Sequence, residues 1–345
     1  MSKVNHHYVP QFHLRNFSSN GKSIGMFINN KKLFVKEASI KEQAYKKNLY
    51  GKTDDLENNL MMLEGLMAKI TKDILASHEL PLKSSAEYEM ILLYLLMAEA
   101  RVQKTAESQN NFVNKQMKLF AKMDKNIKIS NEVIDKMKIS YNVPNLLPMQ
   151  VATKIYPILF DLRAILIISD SDRRFITTDN PLTRYNEMYV HMNYQLRGYG
   201  LGNMGIQLFY PISPEVCLCI YDDIMYHCNG LQNRTLRLVK RKDIDELNKL
   251  FYLNSMDYLF FSGGVSETYL NRIIKGLTPV HNLEKEFNVF GSEDEKLIAF
   301  QTSFVKEKIK LPFMKMNPEL INMPLPAHMA GPLRPYANKF QESLK

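Results

Sequence analysis

The apolar residues of this chain change their period once, near Ala164, and that change constrains the fold more than any other feature. Before it, Leu56, Leu60, Leu63, Met67 and Ile70 recur at helical spacing, and Ile91, Leu92, Leu95 and Leu96 lead toward Arg101 in the same way. After it come β-branched and aromatic runs closed by turns: Ile165–Ile168, Arg174–Thr178, Ile206–Tyr210 and Val216–Tyr221. A hairpin over Ser23–Val35, turning at Asn29-Asn30, precedes the helices. A helix at Asp243–Leu253 and a strand at Tyr258–Phe261 follow the sheet segments. Helices and strands are segregated, with no regular βαβ alternation. That order predicts an α+β fold, mostly antiparallel sheet with a large helical insertion at about residues 54–150.

Local signals refine the order. Pro10 suits the first turn of a short helix ending near Asn16, Asp54-Asp55 can cap the first long helix, and Ser84-Ser85 starts the second. Residues 106–138 are rich in Lys, Asn and Met with weak periodicity, as expected of a loosely packed helical arm. Residues 1–265 read as one domain. Residues 266–345 read as a helical or extended tail, punctuated by Pro312, Pro318, Pro324, Pro326, Pro332 and Pro335.

Charge narrows the partners. Lys and Arg number 45 against 36 Asp and Glu, a net +9, which favours a polyanion: nucleic acid or an anionic membrane face. The longest apolar run, Met90–Ala98, falls well short of the roughly 18 residues that a membrane span requires, so no membrane partner is expected. The N-terminus lacks a charged-then-apolar leader, which points to the cytoplasm. Cys217 and Cys219 alternate in an apolar run and should share one strand face as small hydrophobes. With Cys228 they make three cysteines and no CxxC pair, so neither a disulfide framework nor a metal site is indicated, and no cofactor can be named.

Three segments carry polar chemistry. His6-His7-Tyr8-Val9-Pro10-Gln11-Phe12-His13-Leu14-Arg15 places three of the eight histidines within eight positions. Phe175-Ile176-Thr177-Thr178-Asp179-Asn180-Pro181 ends an apolar strand in a polar turn, either an Asx turn or a projecting functional Asp179. Gly198–Gly205 holds four glycines beside Arg197, too irregular for a dinucleotide fingerprint and closer to a connector or a mobile phosphate-approaching loop. Arg101 reads as a buried ion-pair arginine or a ligand contact. Glu57 and Glu64 share a helix face and read as solvated carboxylates.

These segments resemble the bacterial family known as domain of unknown function 4238. The His-x-x-Pro-x-x-x-Leu-Arg-x-Phe opening is His7 to Phe17 here, followed by Asn48-Leu49-Tyr50, the helix around Leu60–Leu66 and Glu99-Ala100-Arg101. Phe175–Pro181, Tyr210–Pro214 and Leu247-Asn248 supply the later markers, so the resemblance spans roughly residues 5–262. The Lys-rich stretch near 106–150 and the proline-punctuated tail depart from the pattern. The resemblance implies an effector of a bacterial defence or toxin module, restrained by a partner or inhibitor protein.

Combined with the charge, this leads to the expectation of a nuclease with RNA as favoured substrate. His7 or His6 would be the base, Arg15 the phosphate ligand, Asp179 the group orienting the imidazole or holding a metal, and Asn180 a positioning group. Gln11, His13, Arg101, Thr178 and Arg197 would contact substrate. The alternative is a non-enzymatic sensor or binding module for an anionic ligand, a peptide or nucleic acid. A third possibility is a buried polar network that ties the N-terminus to the sheet.

Overall fold

Residues 5–51 hold four short strands and one short α-helix. In the computed structural model, which describes residues 5–51, 55–124, 126–191, 198–281, 287–291, 296–300, 304–321 and 332–344, these are β1 (Asn5–His7), α1 (Gln11–Arg15), β2 (Ser23–Ile28), β3 (Leu33–Ser39) and β4 (Tyr45–Lys47). Helices then take over, as the helical periodicity predicts: α2 (Asp55–Ser77), α3 (Ala86–Ala100), α4 (Gln103–Met123), α5 (Asn131–Lys136) and α6 (Leu146–Ile155). The Ser85 hydroxyl accepts from the Tyr88 N–H and caps α3, which fixes its start at the predicted residue.

The sheet half follows with β5 (Arg163–Ser169), β6 (Thr177–Thr178), β7 (Thr183–Tyr185), α7 (Glu187–His191), β8 (Gln207–Pro211), β9 (Val216–Tyr221), β10 (Tyr226–Cys228), β11 (Thr235–Leu238), α8 (Arg241–Asn254) and β12 (Tyr258–Phe261). Then come α9 (Glu267–Ile274), β13 (Phe287–Gly291), β14 (Lys296–Phe300), β15 (Met314–Met316), α10 (Pro318–Ile321) and α11 (Pro335–Ser343). One sheet runs β11-β5-β9-β8-β7 and a second β3-β2-β12-β6. Among the described residues only the β11–β5 pair is parallel, so the fold is α+β and mostly antiparallel.

The central strands are buried on both faces. Leu166, Ile168, Leu218 and Ile220 join the core shared with α2, α3 and α6. Ile165, Ile167, Cys217 and Cys219 point the other way, into a core shared with α8, α9 and Phe261. That double coverage explains the unbroken apolar runs, and it places Cys217 and Cys219 on one face as expected.

Two expectations are modified. The Arg174–Thr178 strand shortens to Thr177–Thr178 because Asn248 replaces a neighbouring strand: its Oδ1 accepts from Ile176 N–H (3.0 Å) and its Nδ2 donates to Arg174 O (2.8 Å). The C-terminal stretch is tied into the fold. Val305, Leu311, Phe313 and Met314 are buried in the second core, and β15 pairs with β10. Arg334, itself buried, binds Asp161 through Nε (2.8 Å) and Nη2 (3.1 Å).

Candidate functional site

Strand alternation separates the first two histidines. β1 pairs with β4 so that His6 turns inward and His7 lies half-buried at the surface. The His6 ring stacks on Tyr50 (centroids 5.3 Å apart, planes at 6°), and its Nδ1 accepts from the Tyr50 N–H at 2.9 Å. His13, one turn along α1, is buried between Thr177 Oγ1 (2.8 Å from Nε2) and the Tyr210 hydroxyl (3.1 Å from Nδ1). Burial pushes its pKa down to about 3, so it stays neutral at any ordinary pH. Both rings act as structural pins.

His7 differs. Its Nδ1 lies 3.0 Å from the Gln43 carbonyl, which can only accept, so Nδ1 carries the proton and Nε2 keeps a lone pair. Gln11 Nε2 donates to that lone pair at 2.8 Å, and Gln11 Oε1 accepts from Arg15 Nη2 at 2.6 Å. Gln11 and Arg15 are four apart on α1, hence on one face. Burial, the largest cause, lowers the His7 pKa against the opposing pull of the Gln43 carbonyl and Glu64. His7, Gln11 and Arg15 open together onto a cleft of about 430 Å³ whose far wall is α2, with Glu57, Met61 and Glu64.

Arg101 closes the back of this arrangement instead of entering it. It donates to Glu64 Oε1 (2.6 Å), the His7 carbonyl (2.7 Å) and the Tyr50 hydroxyl (3.1 Å), and is buried. It therefore braces β1 against α2 and is not among the residues that line the cleft.

The Thr-Asp-Asn-Pro turn packs under the N-terminal segment, through the His13–Thr177 bond, but its carboxylate faces elsewhere. Asp179 Oδ1 accepts from Met256 N–H (2.9 Å), and Oδ2 accepts from Asp257 (2.7 Å) and Tyr258 (3.1 Å). Burial outweighs those three bonds and raises its pKa to about 6. Thr178 Oγ1 accepts from the Asn180 N–H (3.0 Å), while Asn180 and Asn254 exchange side-chain-to-backbone bonds of 3.0 and 2.9 Å. None of Thr178, Asp179 and Asn180 lines the His7 cleft, so the expected His7–Asp179 partnership does not form.

The glycine-rich segment is a pinned connector. Gly198 has φ +128° and its Cα lies against the Tyr189 ring, where a Cβ would come within 2.4 Å. Asn186 Nδ2 bonds the Gly198 and Met204 carbonyls at 2.7 and 2.8 Å. Arg197 lies outside the described residues. Among the described residues no group of three or more His, Cys, Asp or Glu side chains is arranged to hold a metal, and no helix is long and apolar enough to cross a membrane.

Glu57 and Glu64 are not the solvated carboxylates that the sequence suggests: Glu57 is buried, Glu64 pairs with Arg101, and both line the His7 cleft, a placement set by the position of α2 and not by their seven-residue spacing.

The family model described as protein of unknown function (DUF4238) matches residues 5–264, well over half of the chain, so the protein belongs to that family. Curated proteins and solved structures offer no match.

Proposed function

We propose that this member of the DUF4238 family is a nuclease of a bacterial defence or toxin module, with RNA its favoured substrate and the His7 cleft its active site. The observation that carries the reading is the His7–Gln11–Arg15 chain, in which one carboxamide holds an imidazole lone pair and a guanidinium at the mouth of the same cleft. RNA is favoured because its 2′-hydroxyl supplies the nucleophile, leaving the protein only proton transfer and charge stabilisation to provide.

His7 Nε2 takes the 2′-hydroxyl proton as O2′ bonds to phosphorus. The P–O5′ bond breaks, and the imidazolium returns the proton to the departing 5′ oxygen. Arg15 would meet the phosphorane oxygens once its bond to Gln11 is exchanged for the substrate. The lowered His7 pKa favours the neutral ring, the form able to take a proton, although it weakens it as a base. The net charge of +9 supports a polyanionic substrate. In this reading Asp179, Asn180, His13 and Arg101 hold the scaffold.

The test incubates wild type and His7→Ala with total RNA, tRNA and plasmid DNA, in magnesium, manganese or EDTA. Cleavage lost in His7→Ala with an unchanged melting temperature is the expected result, along with RNA binding that weakens steeply with salt. EDTA sensitivity would bring in a metal. Intact RNA in every tube would reject the nuclease.

One observation favours the second reading, a non-enzymatic sensor or binding module. Glu57 and Glu64 outnumber Arg15, the single arginine lining the cleft, which suits a ligand with donors of its own, such as a peptide.

A further inference from the structure

A hollow of about 220 Å³ lies between the α2–α3 loop, the start of β5, the residues just beyond β9 and the turn before β11, and it shares no lining residue with the His7 cleft. Its lining holds three cations, Lys83, Arg163 and Arg234, against one carboxylate, Asp223. Arg163 and Asp223 form a loose pair at 3.7 Å. The other two cations have only uncharged partners among the described residues. Lys83 Nζ donates to the Leu162 carbonyl (3.2 Å), and the Arg234 guanidinium donates to the Pro81 (2.8 Å) and Leu80 carbonyls. The acids in the first turn of α3 face elsewhere: Glu87 lines a separate hollow beside α2, and Glu89 accepts from the Tyr156 hydroxyl (3.4 Å).

A buried donor points to the same place. Tyr88 is 1% exposed and lines the hollow, and its hydroxyl has no hydrogen-bond partner among the described residues. Such a group is costly to bury unless something meets it. It lies close enough to Arg234 for the guanidinium to oppose the rise in its pKa that burial causes. Arg234 reaches this position from left-handed backbone, with φ +46° at Asn233 and +60° at Arg234, an uncommon conformation for an arginine.

We propose that this hollow binds a small phosphate monoester, its phosphoryl group between Lys83 and Arg234 and accepting from the Tyr88 hydroxyl. A monoester carries about two negative charges near pH 7 on three acceptor oxygens. The hollow answers with an ammonium and a guanidinium that hold no carboxylate and have N–H groups to spare, and with a phenol O–H. A diester brings one charge and fewer free oxygens, so it matches this set less well.

Calorimetric titration of the full chain with methyl phosphate and dimethyl phosphate at low salt tests this. Methyl phosphate should bind one to one, with dimethyl phosphate about 10- to 100-fold weaker, as expected for loss of a charge-assisted bond. Methyl phosphate affinity should fall as pH drops below about 6, where the monoester takes up its second proton. Lys83→Met should weaken methyl phosphate by about 10-fold, and Lys83 is exposed on a loop, so the fold tolerates the change. Tyr88→Phe removes only the unpartnered hydroxyl and should weaken it by a similar factor. Equal affinity for dimethyl phosphate would assign the hollow to a diester and overturn the proposal. So would unchanged affinity in both variants, or no binding of methyl phosphate at all.

Discussion

His13 offers a direct measurement of whether the N-terminal motif is scaffold or site. Its ring is buried between Thr177 and Tyr210, and burial moves its pKa from 6.5 in the open chain to about 3 in the fold. A depressed histidine pKa gives stability that is fully present above the unfolded value and lost as pH falls below it. Between pH 7 and pH 5 the unfolded chain takes up this proton while the fold does not. The unfolded state therefore gains RT ln(1 + 10^1.5), about 2 kcal/mol. Other groups work in the opposite direction. Burial raises Asp179 to about 6 and Glu187 to about 7, so their contributions are present at low pH and lost as pH rises through those values. A whole-protein pH profile mixes these signs, and only a paired comparison isolates His13. His13→Gln keeps one donor and one acceptor but does not titrate. Urea unfolding of both proteins at pH 7 and pH 5, at equal m-values, gives the stability gap at each pH. Wild type should be the more stable at pH 7, with the gap smaller by about 2 kcal/mol at pH 5. A gap that does not change with pH would mean the ring titrates normally in the fold. It would then be solvent-accessible, and His13 would return to the list of substrate contacts.

Two further substitutions test the anchoring described above. Asp179→Ala strips the acceptor from three backbone N–H groups, and at about 1–3 kcal/mol for each unpaired buried donor it should destabilise by on the order of 3 kcal/mol or more in urea; wild-type stability would return Asp179 to a functional role. Arg334→Ala removes the Asp161 pair and the bonds to the Leu201, Asn203 and Ile158 carbonyls, and should cost about 3–5 kcal/mol. Limited proteolysis should then cut first near α11, and a wild-type digestion pattern would refute the anchoring of this segment by Arg334.

Legibility followed the range of the interactions involved. The hairpin of β2 and β3, the Ser85 cap and the shared face of Cys217 and Cys219 depend on neighbours a few residues away, and periodicity reports those directly. The Arg174–Thr178 segment has strand composition, yet Arg174 and Ile176 bond to Asn248, a single side chain 72 residues from Ile176, and only Thr177 and Thr178 pair with a strand. Arg334 meets Asp161 across 173 residues, and no local pattern encodes that pairing. The same limit applies to the site. A polar turn at a strand end reads identically whether its carboxylate faces solvent or three backbone N–H groups, and Asp179 faces the latter.

The distribution of histidine roles in the opening motif follows from its backbone. An extended segment sends His6 and His7 to opposite faces, and the single turn of α1 then carries His13 inward while Gln11 and Arg15 stay together outside. His13 is bonded at both ring nitrogens by Thr177 and Tyr210, and His6 stacks on Tyr50 and accepts from its N–H, so the segment is held at both ends. Arg101 adds a third restraint at the His7 carbonyl. With its backbone pinned and its tautomer set by the Gln43 carbonyl, the His7 imidazole loses little conformational freedom on engaging a partner. The restraint argues for a preorganised group at the cleft, since a histidine needed only for packing would gain nothing from a lone pair held at the surface by an exchangeable carboxamide.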